Sequence, residues 1–388
     1  MMPMRTVAII SFSNLARDPR VDRQIRTICS IRDLSVVTIG LAEPAVPVRR
    51  HITVVPPPRN LKRLFISAAL LLARRYEDYS AWTYETPRAI SELEDIPMDL
   101  VIGNDFDSLP LAYRLAKTKK SRMLLDAHEF APRQAEEKPW WKVFFQPYHY
   151  YLGHRYLPEL DGMITVSEGI AREYKRIFGV TPQIITNAAP FADLLPSKVQ
   201  NGRIRLVYHG AASPMRKIEI IINAMHMVES GTTLDMILLP VRGSEAYLLH
   251  LQRLVAGKKN VRLLPPIPMS DLVACCNKYD VGICFLPASN FNHKHALPNK
   301  FFEYIQSRLA LVIGPSPEMA RYVENYGLGN VARDFTSRGL AQAINELTKD
   351  SISGFKRNAD AASKTLSAER NNQLLIKIVE DLLDYSPP

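Results

Sequence analysis

The chain has 388 residues, 47% of them hydrophobic and 23% charged, and a formal net charge of +10. That length exceeds one average core, so two domains are the starting expectation, and the composition is that of a soluble globular protein. The positive excess is shared between both halves rather than gathered in a basic tail. This speaks against a nucleic-acid binder and suits anionic substrates or an anionic membrane surface.

Short apolar, β-rich runs alternate with amphipathic stretches from the start. Strands are expected at Thr6–Ser11, Leu34–Ile39, Leu100–Gly103, Arg122–Asp126, Gly162–Val166 and Gln183–Thr186. Helices are expected between them at Asp18–Ser30, Leu109–Lys117 and Ser167–Phe178. A polar, Pro-containing stretch follows, from about Ala188 to Gly202, and then the alternation restarts. Strands are expected at Arg203–His209, Leu234–Leu239, Val261–Leu264, Val281–Phe285, Leu309–Ile313 and Asn330–Ala332. The helices of this half are Met215–Met227, Ser244–Val255, Asn299–Ser307 and Pro317–Tyr326, and Gly354–Tyr385 reads as mostly helical. Repeated strand–helix alternation is the pattern of a parallel, doubly wound sheet. Two such sheets imply an α/β protein of two Rossmann-like domains, with ligands at the carboxyl ends of the strands and a cleft between the domains.

The four cysteines (Cys29, Cys275, Cys276, Cys284) have neither zinc spacing nor a disulfide framework, which fits a reducing cytoplasm. The first residues run straight into the apolar Val7–Ile10 without a signal-peptide pattern. The longest apolar run, Leu64 to Ala73, is too short to span a bilayer.

Several loops could carry chemistry. In His295-Ala-Leu-Pro298-Asn299-Lys300-Phe-Phe-Glu303-Tyr304, a helix opening at Pro298 or Asn299 would aim free N–H groups at an anion. Lys300 adds positive charge and Glu303 could accept hydrogen bonds from sugar hydroxyls. An ordinary capped helix with a solvated Glu is the plainer reading. His209-Gly210-Ala-Ala-Ser213-Pro-Met-Arg216-Lys217 follows a strand, and Gly210 permits close backbone approach. With Arg216 and Lys217 at the next helix start it reads as a phosphate site or as a solvated basic turn, and only one of the two cations is expected to face a ligand. No Gly-x-Gly-x-x-Gly and no Walker loop is present, which excludes the usual dehydrogenase and P-loop readings.

In the first half, Asp126-Ala-His128-Glu129 and Asn104-Asp105 each follow a strand. His128 could bind a sugar hydroxyl or make a structural hydrogen bond. Asp105 reads as a helix cap or as the partner of an acceptor hydroxyl, with the cap favoured. Asp105-Phe-Asp107 reads likewise as capping rather than as a metal motif. The loop at Pro266 and Ile267 is a stiff turn or a support for a nucleobase. Two segments are candidate membrane contacts: Lys62 to Arg75, an apolar helix flanked by cations, and Lys138 to Phe145, which mixes aromatics and cations. Burial in a core is the alternative for each.

Taken in order, Asp18-Pro-Arg20-Val21, Asp126-Ala-His128-Glu129, Asp161-Gly-Met-Ile-Thr165-Val-Ser167, Arg216-Lys217 and Pro298-Asn-Lys300-Phe-Phe-Glu303-Tyr resemble a GT-B glycosyltransferase of the retaining family 4 type. The resemblance covers nearly the whole chain. It implies an acceptor-binding domain over 1–190, a linker over 191–202 and a donor-binding domain over 203–353. Residues 354–388 would be helices that cross back to the first domain. It implies Gly210, Arg216 or Lys217, Pro298, Asn299 and Lys300 at the diphosphate, and Glu303, Pro266 and Ile267 at the nucleoside. His128 and His295 would lie near the reacting sugar, and Asn14, Asn104, Asp105 and Glu129 on the acceptor side.

The sequence departs from the family at three points. The usual Glu-x(7)-Glu pair has His295 in its first position, the Gly-rich first loop is Ser11-Phe-Ser13-Asn14-Leu15, and the usual Lys-Gly is Arg216-Lys217. The resemblance implies a nucleoside-diphosphate sugar donor, no cofactor and no metal. The acceptor would be a glycan or lipid-linked, at the cytoplasmic face of the plasma membrane, in bacterial surface polysaccharide synthesis. A non-catalytic GT-B binding or scaffold protein, or a nucleotide-sugar epimerase, is the alternative.

Overall fold

The computed structural model describes residues 4–55, 60–83 and 86–384, without the side chains of 86 and 87. It divides into two compact units. One comprises Met1–Thr186, Asn290–Asn292 and Asn372–Pro388, the other Asn187–Ser289 and His293–Asn371.

The first unit holds strands β1 (Arg5–Ile10), β2 (Leu34–Gly40), β3 (Arg50–Thr53), β4 (Leu100–Asn104), β5 (Arg122–Ala127), β6 (Gly162–Thr165) and β7 (Gln183–Ile184). They form one parallel sheet in the order β3-β2-β1-β4-β5-β6-β7. Winding runs outward from β1 in both directions, so the order reverses between β1 and β4, where such sheets open a ligand crevice. Val7 to Ile10 are completely buried because helices cover both faces. One face packs Ile10, Val37, Val101 and Leu125 against aromatic helices. The other packs Val7, Ile9, Ile102 and Leu124 against Val21 and Ile25, and against Leu375, Ile378 and Val379 of the terminal helix Ala368–Asp384. The helix Pro19–Cys29 starts sharply because Asp18 accepts from the amides of Arg20 and Val21, and Pro19 supplies a fixed φ.

The second unit holds β8 (Ile204–Ala211), β9 (Thr232–Leu239), β10 (Val261–Leu264), β11 (Val281–Cys284), β12 (Ala310–Ile313) and β13 (Gly329–Val331). Its parallel order is β10-β9-β8-β11-β12-β13, with the reversal between β8 and β11.

Some expectations shift. The first unit's opening segment ends at Thr186 rather than at 190, and the helix Lys349–Ala362 belongs to the second unit, so only Asn372 onward counts with the first. The helix expected from Met215 is broken. A 3-10 turn, Pro214–Arg216, precedes Lys217 in the left-handed region, and the helix resumes at Glu219. Asp105 does not cap: its backbone sits at φ 62°, ψ 164° and its side chain makes no cap hydrogen bond. The segment around Trp140 is part of a long helix, Pro139–Tyr156.

Candidate functional site

In the second unit, β8, β11 and the helix Asn299–Gln306 bring their ends to one cavity of about 300 Å³. Tyr208, Arg216, Cys284, His293, Pro298 and Lys300 are among the residues that line it. Pro298 is the N-cap, in extended conformation without a side-chain cap, so the first amides of the helix keep their donors for a ligand. Lys300 is 8% exposed, and its Nζ stands 3.8 Å over the Tyr208 ring. That contact holds the ammonium group without a carboxylate to neutralise it.

Gly210 makes the close approach possible. Its φ is +139°, and a Cβ there would lie 2.6 Å from Arg216 Nη1 and 3.1 Å from Lys300 Nζ. Two cations therefore crowd the strand end where only glycine fits. Lys217 is exposed and absent from the cavity wall, so Arg216 is the cation that faces it.

Beneath the cations sits His209. Its N–H donates to Tyr304 Oη at 3.1 Å, its ring meets the Tyr304 ring edge-on, and its Nε2 lies 3.4 Å from Glu303 Oε2. Burial, reinforced by Lys300 and Arg216, pushes its pKa down to about 3. The imidazole is thus neutral; its Nε2 faces the Glu303 carboxylate, whose side chain is 12% exposed, without a formed hydrogen bond.

His295 does not line this cavity. Its Nδ1 lies 3.2 Å from Oε1 of the buried Glu318, which sits in the first turn of the helix Pro317–Tyr326. His293, two residues earlier, lines the wall instead, with its Nδ1 2.6 Å from Ser289 Oγ. Pro266 is exposed, and Ile267 packs against the cluster that contains Phe301 and Phe302. Neither lines the cavity.

In the first unit, the ends of β4 and β5 open a second cavity of about 220 Å³, lined by Asp105, Asp107, His128, Glu129 and His149 among others. Asp105 Oδ1 accepts the His128 N–H at 3.1 Å, and Oδ2 lies 3.3 Å from His128 Nδ1. A non-glycine residue at φ 62°, ψ 164° is costly, and such strain persists where the surroundings over-determine it. Here the Asp105 amide is tied to Asp126 O at 2.9 Å and its carbonyl to Ser108 Oγ at 2.7 Å.

Behind His128 lies a buried polar chain. Arg20 donates Nη2 to Asp126 Oδ1 at 2.6 Å and Nε to Oδ2 at 3.0 Å, and Gln24 Nε2 reaches Oδ2 at 3.0 Å. Asn104 Nδ2 donates to Gln24 Oε1 at 2.9 Å. The carbonyl oxygens of Asn14 and Asn104 and Nε2 of His128 are buried without a protein hydrogen-bond partner. Glu129 is exposed, and its Oε2 takes Asn292 Nδ2 at 3.4 Å.

Sequence reasoning missed His209 as the partner of Glu303, His293, His149, and Arg20 as the anchor of Asp126. Arg20 was visible only as part of Asp18-Pro-Arg20-Val21, and a buried ion pair 106 positions apart leaves no local pattern. Among the described residues no group of three or more His, Cys, Asp or Glu is arranged to hold a metal ion.

Two Rossmann-like parallel-sheet domains of this order make the fold GT-B, as comparison with solved structures bears out. Anabaena HepE in complex with UDP superposes with a TM-score of 0.70 at 15% identity, over 97% of this chain and 100% of that one. Sucrose-phosphate synthase from Thermosynechococcus elongatus gives 0.73 at 13% identity, over 98% and 100%. A glycosyltransferase from Rickettsia africae gives 0.69 at 12%, over 98% and 99%. At these identities the likeness concerns the fold. No protein-family model matches the chain, and no curated protein matches it in sequence.

Proposed function

We propose that the chain is a glycosyltransferase that takes a sugar from a nucleoside-diphosphate donor. The observation that carries this reading is the convergence of Arg216 Nη1 and Lys300 Nζ on Gly210, beside an uncapped helix N-terminus at the sheet's reversal point. That arrangement suits a diphosphate. HepE, which has this fold, was solved with UDP and with UDP-glucose.

In this reading Arg216, Lys300 and the amides at Asn299 and Lys300 bind the diphosphate, and Glu303, beside neutral His209, accepts hydrogen bonds from the ribose. The bond between the anomeric carbon and the diphosphate oxygen breaks. The acceptor oxygen bonds the same carbon with retention, and the acceptor proton ends on the leaving diphosphate. Pre-organised cations stabilise the charge that grows on the leaving group, so the reaction needs no metal of its own. His128 lies near the reacting sugar, and Asn14, Asn104, Asp105 and Glu129 bind the acceptor, a glycan or lipid-linked sugar, at the cytoplasmic membrane face in surface polysaccharide synthesis.

The test is turnover of a panel of nucleotide sugars with mixed glycan and lipid-linked acceptors. Glu303→Ala and Arg216→Ala should each abolish it, and near-normal turnover in both would sink the assignment. One observation favours a second reading. His295, at the place of the family's first Glu, is directed to Glu318 rather than lining the cavity. A non-catalytic protein would bind a nucleotide sugar yet leave it intact with every acceptor.

A further inference from the structure

The helix Leu61–Leu72 is apolar, yet of its 12 residues only Leu71 is buried. Leu61, Phe65 and Leu72 are 74%, 73% and 60% exposed, and Leu64 beside them is 66% exposed. Positions 61, 65, 68 and 72 follow the helical spacing of four, three and four, so they form one stripe. This helix packs against the helix Pro139–Tyr156, whose first turns expose Trp140 at 50% and Val143 at 56%. Two packed helices of the first unit, far apart in sequence, thus each expose large apolar side chains, and soluble surfaces seldom leave such groups uncovered.

The two segments themselves carry only cations; the nearest carboxylates in sequence, Glu77, Asp78, Glu136 and Glu137, flank them, and Glu77 and Glu136 are engaged by Tyr151, Tyr156 and Arg133. Residues 60–75 contain Lys62, Arg63, Arg74 and Arg75 and no acidic residue, and residues 138–150 contain Lys138 and Lys142 and none either. Arg75 is engaged by Asp78, and Arg63 stacks 4.5 Å over Trp82. Lys62, Arg74 and Lys142 are the other cations of the two segments, and Lys138 lies 5.5 Å over the Trp140 ring. Among the described residues no helix is long and apolar enough to cross a membrane.

We propose that this face docks flat on an anionic lipid bilayer, with Leu61, Leu64, Phe65, Leu72 and Trp140 in the acyl boundary and the cations among the headgroups. A helix of this kind, apolar on one side, cation-flanked and free of carboxylates, matches the lipid–water interface in both polarity and charge. The proposal names a docking surface for the membrane-face placement in the transferase reading, and its test stands apart from nucleotide binding, which is read on the second unit.

The experiment is co-sedimentation of the full chain with vesicles of phosphatidylcholine alone and of phosphatidylcholine with phosphatidylglycerol, at low and high salt. Binding is expected on the mixed vesicles, weakened by salt. Leu64→Ser/Phe65→Ser should lower partitioning by about tenfold or more. Lys62→Gln/Arg74→Gln should weaken binding mainly at low salt. Urea unfolding of the same samples shows whether the variants remain folded, and a separate UDP titration keeps the two proposals apart. Absence of binding to the mixed vesicles at low salt would overturn the proposal. So would a dimer of the free protein that Leu64→Ser/Phe65→Ser dissolves, which would make a second copy the occupant.

Discussion

Gly210→Ala tests the phosphate site most sharply. The new Cβ would stand 2.6 Å from Arg216 Nη1, 3.1 Å from Lys300 Nζ and 3.5 Å from Lys300 Cε, so both cations must retreat from the strand end. A charge-assisted hydrogen bond is worth about 1.5–3 kcal/mol. Losing one such contact to a diphosphate lowers affinity by about 10- to 150-fold. The backbone at φ +139° adds a separate strain of order 1–3 kcal/mol, which lowers stability. Gly257→Ala separates the two effects. Gly257 has φ +79° and open space around its Cβ position, so that variant should lose about 1–2 kcal/mol of stability and keep its UDP affinity. Calorimetric titration with UDP and urea denaturation read the two quantities. If Gly210→Ala binds UDP as tightly as the wild type while it is destabilised like Gly257→Ala, the convergence of cations on Gly210 is not a phosphate site.

Other outcomes follow from the same geometry. Lys300→Met should weaken UDP binding by about tenfold or more, whereas Lys217→Met, outside the cavity wall, should stay within about twofold, and equal losses in the two would contradict the assignment. Histidine normally titrates near 6.5 and His209 is held to about 3, so in acid the unfolded chain takes up a proton that the folded chain refuses. The contribution is therefore complete above about pH 6.5 and is lost as the pH falls toward 3, by about 2 kcal/mol at pH 5. His209→Gln should flatten that part of the stability profile, and an unchanged slope would refute the buried neutral imidazole. Arg20→Ala leaves Asp126 as a buried carboxylate without its cation and should cost about 3–5 kcal/mol in urea unfolding with UDP affinity intact. A loss below about 1 kcal/mol would show that the pair does not hold the first unit together.

The two-sheet architecture was legible because most core strands are short apolar runs and many are followed by an amphipathic helix, and burial on both faces demands that pattern. The helix Asn299–Gln306 was legible too: Pro298-Asn299-Lys300 places a rigid N-cap and a cation where the helix does begin. What failed were features decided at long range or by single dihedrals. Lys217 adopts φ 45°, which splits a helix that apolar periodicity alone runs straight through. Asp105 has the composition of a cap, yet its carboxylate is taken by His128 from another strand end. β3 is four residues with one buried side chain, too little to register as a strand. The helix Pro139–Tyr156 carries aromatics on all sides and Pro147 inside it, so no 3.6-residue stripe marks it. His209 read as a strand residue, and its pairing with Glu303 exists only once β8 and the Asn299–Gln306 helix lie side by side.

The most direct test of the central claim is calorimetric titration of the purified chain with UDP, GDP, ADP, dTDP and CMP, with Lys300→Met run in parallel. The account predicts that one nucleoside diphosphate binds selectively, that CMP binds more weakly for want of the second phosphate, and that Lys300→Met loses most of the affinity. Binding of none of them, or binding that Lys300→Met leaves untouched, would contradict a nucleotide-sugar donor site in the second unit.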